Sequence, residues 1–301
     1  METHFDVIVI GGSFAGLSAA MQLARARRRV LVLDGGRPRN RFAPHSHGFF
    51  GQDGKTPADI IRDARSQLLA YPTARVAITE ALTAEREAGR FVVTCADGTS
   101  SSADRLILAT GMRDDLPALP GLEARWGHSV LHCPYCHGYE VADKQLGVLA
   151  THPLSFHQAM LVPDWGSTTW FTQGIVEPTA DETALLEARH VRIEPSRVVE
   201  VLGNAPEMTG VRLADGRVVG IDALFVAPRT HQASPLAQQL GCALKDGALG
   251  PFLVVDDGKQ TSVPGVFAAG DAATEWANAT FASAAGVTAG VAAHRSLIFG
   301  L

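Results

Sequence analysis

Phe5-Asp6-Val7-Ile8-Val9-Ile10-Gly11-Gly12-Ser13-Phe14-Ala15-Gly16 reads as a buried strand that runs into a glycine-rich turn. The residues before Gly11 are nearly all apolar, as a parallel strand covered on both faces requires. Beyond the turn, Leu17, Ala20, Met21 and Ala24 recur at helical spacing and predict a helix with an apolar face. Val30-Leu31-Val32-Leu33 predicts the next strand, which ends in Asp34. Strand, turn, helix, strand and terminal acid together make the unit that holds a dinucleotide. Glycines admit the pyrophosphate to the backbone, the helix N-terminus faces it, and the acid takes a ribose hydroxyl. Gly11 and Gly16 fill the first and third glycine positions. Ser13 fills the second, where it is small and adds a hydroxyl donor, and Phe14 and Ala15 complete the turn.

With 301 residues, 46% of them hydrophobic, the chain can bury one large core or two medium ones. A formal net charge of −5 gives no footprint for nucleic acid or an anionic membrane. The basic run Arg25, Arg27, Arg28, Arg29 falls where the first helix should end, and cations are favoured there by the helix dipole. Met1-Glu2-Thr3-His4 leads straight into the first strand and lacks the charged and apolar regions of a secretory leader. No stretch of ~18 apolar residues could span a membrane. Four cysteines do not make a disulfide scaffold, so the expected compartment is a reducing cytoplasm in which any disulfide is catalytic or transient.

The same dinucleotide unit is completed far downstream. Leu106-Ile107-Leu108-Ala109-Thr110-Gly111 reads as a crossover strand and its exit. Val263 to Ala273 reads as a short strand entering Gly270-Asp271, followed by an Ala-rich helix from Ala282 to Leu297. In flavoproteins with two dinucleotide sites such a Gly-Asp closes over the flavin ribityl chain, which makes FAD the expected cofactor.

Cys133-Pro134-Tyr135-Cys136 holds half of the cysteines two residues apart, next to a βαβ pattern, and so reads as a redox-active dithiol. Pro134 suits the first turn of a helix, and a helix N-terminus would lower the pKa of the first thiol. His137 supplies an imidazole able to take and return a thiol proton near neutral pH. A zinc knuckle from His132, Cys133, Cys136 and His137 is a poor alternative, because His132 and Cys133 are adjacent and diverge; no metal is expected. Cys95 and Cys242 read as small buried hydrophobes.

On these elements (the Gly11–Gly16 turn, Ala109-Thr110-Gly111, Cys133–Cys136 and Gly265 to Asp271) the chain resembles the low-molecular-weight thioredoxin reductase family over essentially its full length. The stretch from Cys133 to Glu140 is similar to a subgroup that includes the dithiol oxidases of gliotoxin and holomycin biosynthesis. The resemblance implies that Cys133 exchanges with substrate and Cys136 faces the flavin. His137 replaces the acid common at that position in the reductases. The cofactor-binding set implied is Gly11, Ser13, Phe14, Ala15, Gly16, Asp34, Arg41, His47, Ala109, Thr110, Gly111, Gly270 and Asp271. His45 and His47 occupy a loop that passes near the flavin in the family. A homodimer is implied as well.

A second dinucleotide unit should follow the dithiol, with a strand at Leu146 to Ala150 and a helix at Ser155 to Leu161. Its turn is degenerate. Ala150, His152 and Ser155 stand where small or Gly positions belong, Pro153 removes an N–H, and no glycine lies between Gly147 and Gly166. Residues 145–188 contain no Lys or Arg, whereas NADPH-using relatives hold the 2′-phosphate with an Arg pair after the second strand. Here that strand, Thr168 to Thr172, is followed by Gln173-Gly174, and Ala227 to His231 replaces a Gly-rich strand exit. An NAD(P)H site is therefore doubtful.

The expected fold is α/β, with two Rossmann-like dinucleotide-binding domains, the second inserted in the first. Residues 1–113 and 232–301 would form the FAD domain, and residues 114–231 the insert that carries the dithiol. The leading expectation is a FAD-dependent thiol–disulfide oxidoreductase that oxidises a small-molecule dithiol or a redox protein and passes the electrons to O2. A protein reductant such as a ferredoxin is a variant of this scheme. The alternatives are an NADPH-dependent reductase with a diverged pocket and a non-catalytic flavoprotein redox sensor.

Overall fold

The computed structural model describes residues 4–300, so the reading of Met1 to Thr3 lies outside the described residues. In chain order the first part runs β1 (His4–Ile10), α1 (Phe14–Arg25), β2 (Val30–Leu33), α2 (Pro57–Leu69), β3 (Ala74–Ala77), β4 (Ala81–Glu87), β5 (Arg90–Cys95) and β6 (Ser100–Leu108). The short β7 (Met112–Asp115) leads to β8 (Val130–Leu131), the single-turn α3 (Pro134–His137), β9 (Gln145–Leu149), α4 (Ser155–Leu161) and β10 (Ser167–Phe171). Next come α5 (Ala180–Ala188), β11 (Arg192–Glu194), β12 (Val198–Leu202), β13 (Gly210–Leu213), β14 (Val218–Val219), β15 (Ala223–Val226) and β16 (Arg229–Gln232). The chain closes with α6 (Leu236–Gln239), β17 (Leu244–Asp246), β18 (Pro251–Leu253), β19 (Val266–Ala268) and α7 (Ala279–Phe299).

Two Rossmann-like sheets result, as the sequence predicts. The first has the order β3-β2-β1-β6-β5-β4, and β19 pairs with the C-terminal half of β6. Strands β1, β2, β3, β6 and β19 are parallel, while β4 and β5 form an antiparallel extension. The second sheet, β11-β10-β9-β15-β8, is wholly parallel. All of its strands lie in sequence between β6 and β19. The chain passes to and from it through β7 and β16, which pair antiparallel from Met112 opposite Gln232 to Asp115 opposite Arg229. Both junctions read from the sequence, 113/114 and 231/232, fall within this pair.

The apolar strands are buried for the reason their sequences suggest. Val7, Ile8 and Val9 are fully covered, between the α1/α7 layer on one face and a cluster built on Phe91, Val93 and Leu253 on the other. In the second sheet Trp170 and Phe171 are fully buried, and the Trp170 indole N–H reaches the Ser155 hydroxyl at 3.3 Å. Helix α7 starts at Ala279, ahead of the Ala282 read from the apolar pattern, because Asn278 caps it: the side-chain carbonyl accepts the Thr280 N–H at 2.7 Å. Among the described residues no helix is long and apolar enough to cross a membrane.

Helix α7 meets α1 through glycines. A β-carbon on Gly286 would lie 2.1 Å from the Ala15 carbonyl oxygen, and one on Gly290 would lie 2.5 Å from that of Ala19. Backbone stands against backbone here, so no side chain can be added without moving a helix that carries the nucleotide turn. Gly286→Ala is therefore expected to lower stability by about 1–3 kcal/mol. Val287→Ala, on the exposed face of α7, should stay within ~0.5 kcal/mol of wild type. Urea unfolding followed by circular dichroism measures both, and equal midpoints would refute the close-packing account.

Candidate functional site

The parallel strands of the first sheet deliver their exits to one place. The Ala109 N–H bonds the Ile10 carbonyl at 2.8 Å, and the Ala269 N–H bonds the Leu108 carbonyl at 3.0 Å, so the turns after β1, β6 and β19 lie side by side. Gly11 has φ 117°, and a β-carbon on it would stand 2.1 Å from the Ala109 oxygen. One on Gly16 would stand 1.8 Å from the Gly11 oxygen. Both glycines are thus required by close approach. Gly12 gives room to the Asp34 carboxyl, which is buried at the end of β2, accepts the Gly36 N–H at 2.8 Å and pairs with Arg65. Ser13 is the N-cap of α1, yet its side chain bonds none of the helix's first N–H groups. An uncapped helix N-terminus, a turn stripped of β-carbons and an acid at the next strand end fit a dinucleotide pyrophosphate and ribose.

Phe14 opens α1, with its ring edge-on to Phe49 at 5.7 Å, and Ala15 packs beneath Gly270. Thr110 and Gly111 form the exit of β6, and the Gly111 carbonyl accepts the Ala233 N–H at 3.2 Å. Gly270, at φ 76°, begins the turn that holds Asp271. Arg41 is not drawn into this group. It is exposed, lies 4.1 Å over the Phe42 ring and donates to the Pro38 carbonyl at 3.0 Å. Arg39, two residues earlier and outside the sequence reading, binds Asp271 instead, at 3.0 Å.

Cys133 and Cys136 form a disulfide. The helix expected to start at Cys133 is a single turn of four residues, too short for a summed dipole to act on the thiol. The local donor is instead the Cys136 N–H, which points to the Cys133 sulfur at 3.2 Å. The turn ends where Gly138 packs against the Trp165 ring, with no room for a β-carbon. Tyr135 and Tyr139 stand exposed beside it.

His132 and His137 flank the dithiol in the chain. Burial holds the His137 pKa below its usual 6.5, with the His47 and His132 charges acting the same way and the Glu140 carboxylate opposing them. His137 is therefore neutral at pH 7 and able to accept a proton. Burial also lowers the His132 pKa, and the charge of Arg39 adds to it. His132 Nδ1 lies 3.3 Å from the Val226 carbonyl, which assigns it the proton. The His47 loop does reach the dithiol segment: Nε2 lies 3.4 Å from Glu140, and Nδ1 3.6 Å from Asp53.

At the second sheet, the turn between β9 and α4 is filled from within. His152 is 7% exposed; its Nδ1 accepts the Leu154 N–H at 3.2 Å, and its Nε2–H donates to the Ala227 carbonyl at 3.0 Å. Thr151 donates to the same carbonyl at 2.6 Å. The Leu154 N–H immediately precedes α4, where a phosphate would be met, and the imidazole takes it. Gln173, at the end of β10, spends its side-chain carbonyl on the Val198 N–H at 3.2 Å. The fold brings one cation to this turn that the cation-free stretch concealed: Arg229, whose charge helps to lower the His152 pKa.

A Rossmann-like nucleotide cradle joined to a Cys-x-x-Cys disulfide defines a disulfide oxidoreductase of the flavoprotein class, related to thioredoxin reductases. The chain belongs to the pyridine nucleotide-disulphide oxidoreductase family, whose pattern matches residues 5–152 and 176–286. The match lapses from 153 to 175, across α4 and β10. Thioredoxin reductase-like members of this family bind FAD. The thioredoxin reductase tcpT of Claviceps purpurea is 33% identical over 97% of this chain and 94% of its own. An oxidoreductase of known structure from Agrobacterium tumefaciens superposes with a TM-score of 0.94, at 48% identity and full coverage of both chains. The crystal structure of HlmI gives 0.92, at 38% identity, over 99% of this chain and 94% of that one.

The His152 geometry carries a pH signature. Burial holds the folded-state pKa below 6.5, so the unfolded chain binds the proton first as pH falls, and stability is lost from about pH 6.5 downward. His152→Gln lacks this loss. Urea midpoints at pH 7.5 should favour wild type, and the gap should narrow at pH 5.5. A constant gap would contradict a neutral imidazole at this position.

Proposed function

We propose that this protein oxidises a dithiol to a disulfide through Cys133–Cys136 and bound FAD, with O2 as the acceptor and no use of NAD(P)H. The observation that carries the reading is His152, whose two ring nitrogens are both committed inside the second nucleotide turn. Pro153, the absence of any Lys or Arg in residues 145–188 and the lapse of the family match from 153 support it.

The chemistry follows from the sulfur pair. A substrate thiolate attacks the Cys133 sulfur, the Cys133–Cys136 bond breaks, and Cys136 leaves as the thiolate. The second substrate thiol, its proton taken by neutral His137, attacks the substrate sulfur of the mixed disulfide. The substrate departs as a disulfide and Cys133 is released as a thiolate, its charge facing the Cys136 N–H. The electron pair now resides in the Cys133/Cys136 dithiol. The Gly11–Gly16 turn, Asp34 and the Gly270-Asp271 turn would hold FAD, which would supply two-electron acceptance from the dithiol and reduction of O2 to H2O2. A small-molecule dithiol or a redox protein is the proposed substrate, in the cytoplasm, with the protein acting as a homodimer.

An NADPH-dependent disulfide reductase is the competing reading. The name of the Claviceps relative and the position of Arg229 beside the second turn favour it. Anaerobic mixing separates the two. Dithiothreitol is expected to bleach the flavin of the wild-type protein and not that of Cys136→Ser, whereas NADPH and NADH leave it oxidised. Bleaching by micromolar NADPH would overturn the proposal. Thr151→Gly combined with His152→Gly should not gain NADPH turnover, because emptying the turn supplies no cation pair for the 2′-phosphate. His137→Gln should slow bleaching by dithiothreitol ~10²–10⁴-fold, the range for loss of a general base. It should also abolish the acid-side fall in rate that protonation of His137 produces in wild type. An unchanged rate would remove His137 from the chemistry.

A further inference from the structure

Arg39 belongs to no motif, yet it is the centre of a half-buried charge cluster. Its side chain is 19% exposed, that of Asp114 11% and that of Asp271 19%. Nε and Nη2 donate to the two oxygens of Asp114 at 3.0 and 2.5 Å, and Nη1 donates to Oδ2 of Asp271 at 3.0 Å. Three parts of the chain meet in one planar fork: the turn after β2, the strand β7 that leads to the dithiol, and the Gly270-Asp271 turn. Only a guanidinium can chelate one carboxylate and reach a second from the opposite nitrogen. Burial works against the Arg39 charge, but the bonds and charges of Asp114 and Asp271 outweigh it, so the cation persists at all accessible pH.

We propose that Arg39 is a positioning residue: it fixes the Asp271 carboxylate at the cofactor turn in register with β7 and hence with the dithiol segment. The inference rests on the FAD-dependent dithiol reading above. Without the cation, Asp114 and Asp271 face each other as unpaired, half-buried carboxylates. One must then turn outward or take a proton, and Asp271 loses its fixed orientation. Asp114→Asn, by contrast, leaves the Arg39–Asp271 bond in place.

The test uses the full-length flavoprotein with Arg39→Gln, Arg39→Lys, Asp114→Asn, Asp271→Asn and the double variant Arg39→Gln/Asp271→Asn. FAD dissociation constants are measured by flavin fluorescence, and the rate of flavin bleaching by dithiothreitol by anaerobic stopped flow. Reduction of Cys133–Cys136 in the same flavoprotein is followed separately, by thiol alkylation. Arg39→Gln is expected to weaken FAD on the order of 10–100-fold, the loss of a hydrogen bond between charged groups. Arg39→Lys, which keeps the charge but not the fork, should fall between it and wild type, and it stands in if Arg39→Gln does not fold. Asp114→Asn should weaken FAD less than Arg39→Gln does. The double variant should be no weaker than the worse of its parents, and alkylation kinetics should be unchanged throughout. FAD affinity of both Arg39 variants equal to that of wild type, or losses that multiply in the double variant, would overturn the positioning role. A wild-type protein that binds no FAD, or is not bleached by dithiothreitol, would overturn the underlying reading and this inference together.

Discussion

Backbone meeting backbone, with no side chain between, is the constraint on which the first nucleotide site is built. Gly11 lies against the Ala109 carbonyl, Gly16 against the Gly11 carbonyl, and Gly286 and Gly290 against those of Ala15 and Ala19. These contacts form one continuous stack: the strand exit sets the turn, the turn sets α1, and α1 sets the helix that follows the Gly270-Asp271 turn. Asp34 enters the same stack through Gly12, whose missing β-carbon leaves space for its carboxyl. A methyl group at any of these glycines would displace several elements at once. The geometry of the cradle is therefore a packing property before it is a binding property.

Much of this was legible because it is local. Strand β1, the glycine turn and α1 follow from a change of apolar period within about twenty residues, and the Ala-rich run from Ala282 marks the helix α7, whose close contact with α1 only the fold reveals. What escaped the sequence depends on topology. Arg39 is bound to partners 75 and 232 residues away, so no local pattern could mark it, whereas the neighbouring Arg41, equally basic, lies in the open. Arg229 sits beside His152 because β15 pairs with β9, which places their exits side by side although their sequences are far apart. The helix expected at the dithiol is present, with Cys133 as its N-cap and Pro134 in its first turn, but it is shorter than the sequence suggests. Cys133-Pro134 is a sound helix start, and after one turn the chain passes through Gly138, packed on Trp165, into a second tight turn at Tyr139–Val141.

The second sheet keeps the nucleotide-type fold with a different turn. In the first unit the turn is emptied of side chains; in the second an imidazole accepts from within the Leu154 N–H at the start of α4. His152 satisfies a helix-terminal N–H and a strand-exit carbonyl together. The strands beneath stay parallel and apolar around buried Trp170 and Phe171, so rigidity is retained for the dithiol segment on its flank.

The antiparallel pair β7 and β16 has a consequence for how such a chain can be assembled. Asp114 and Thr230 are register partners, so the stretch between them leaves the first fold and re-enters it at neighbouring positions. Closing such a gap imposes almost no additional loop entropy on the host, whatever the length of the guest. The host core is built from strands on either side of the break. The stretch that carries the dithiol thus enters and leaves through one antiparallel pair, and neither step interrupts the parallel strand order of the first sheet.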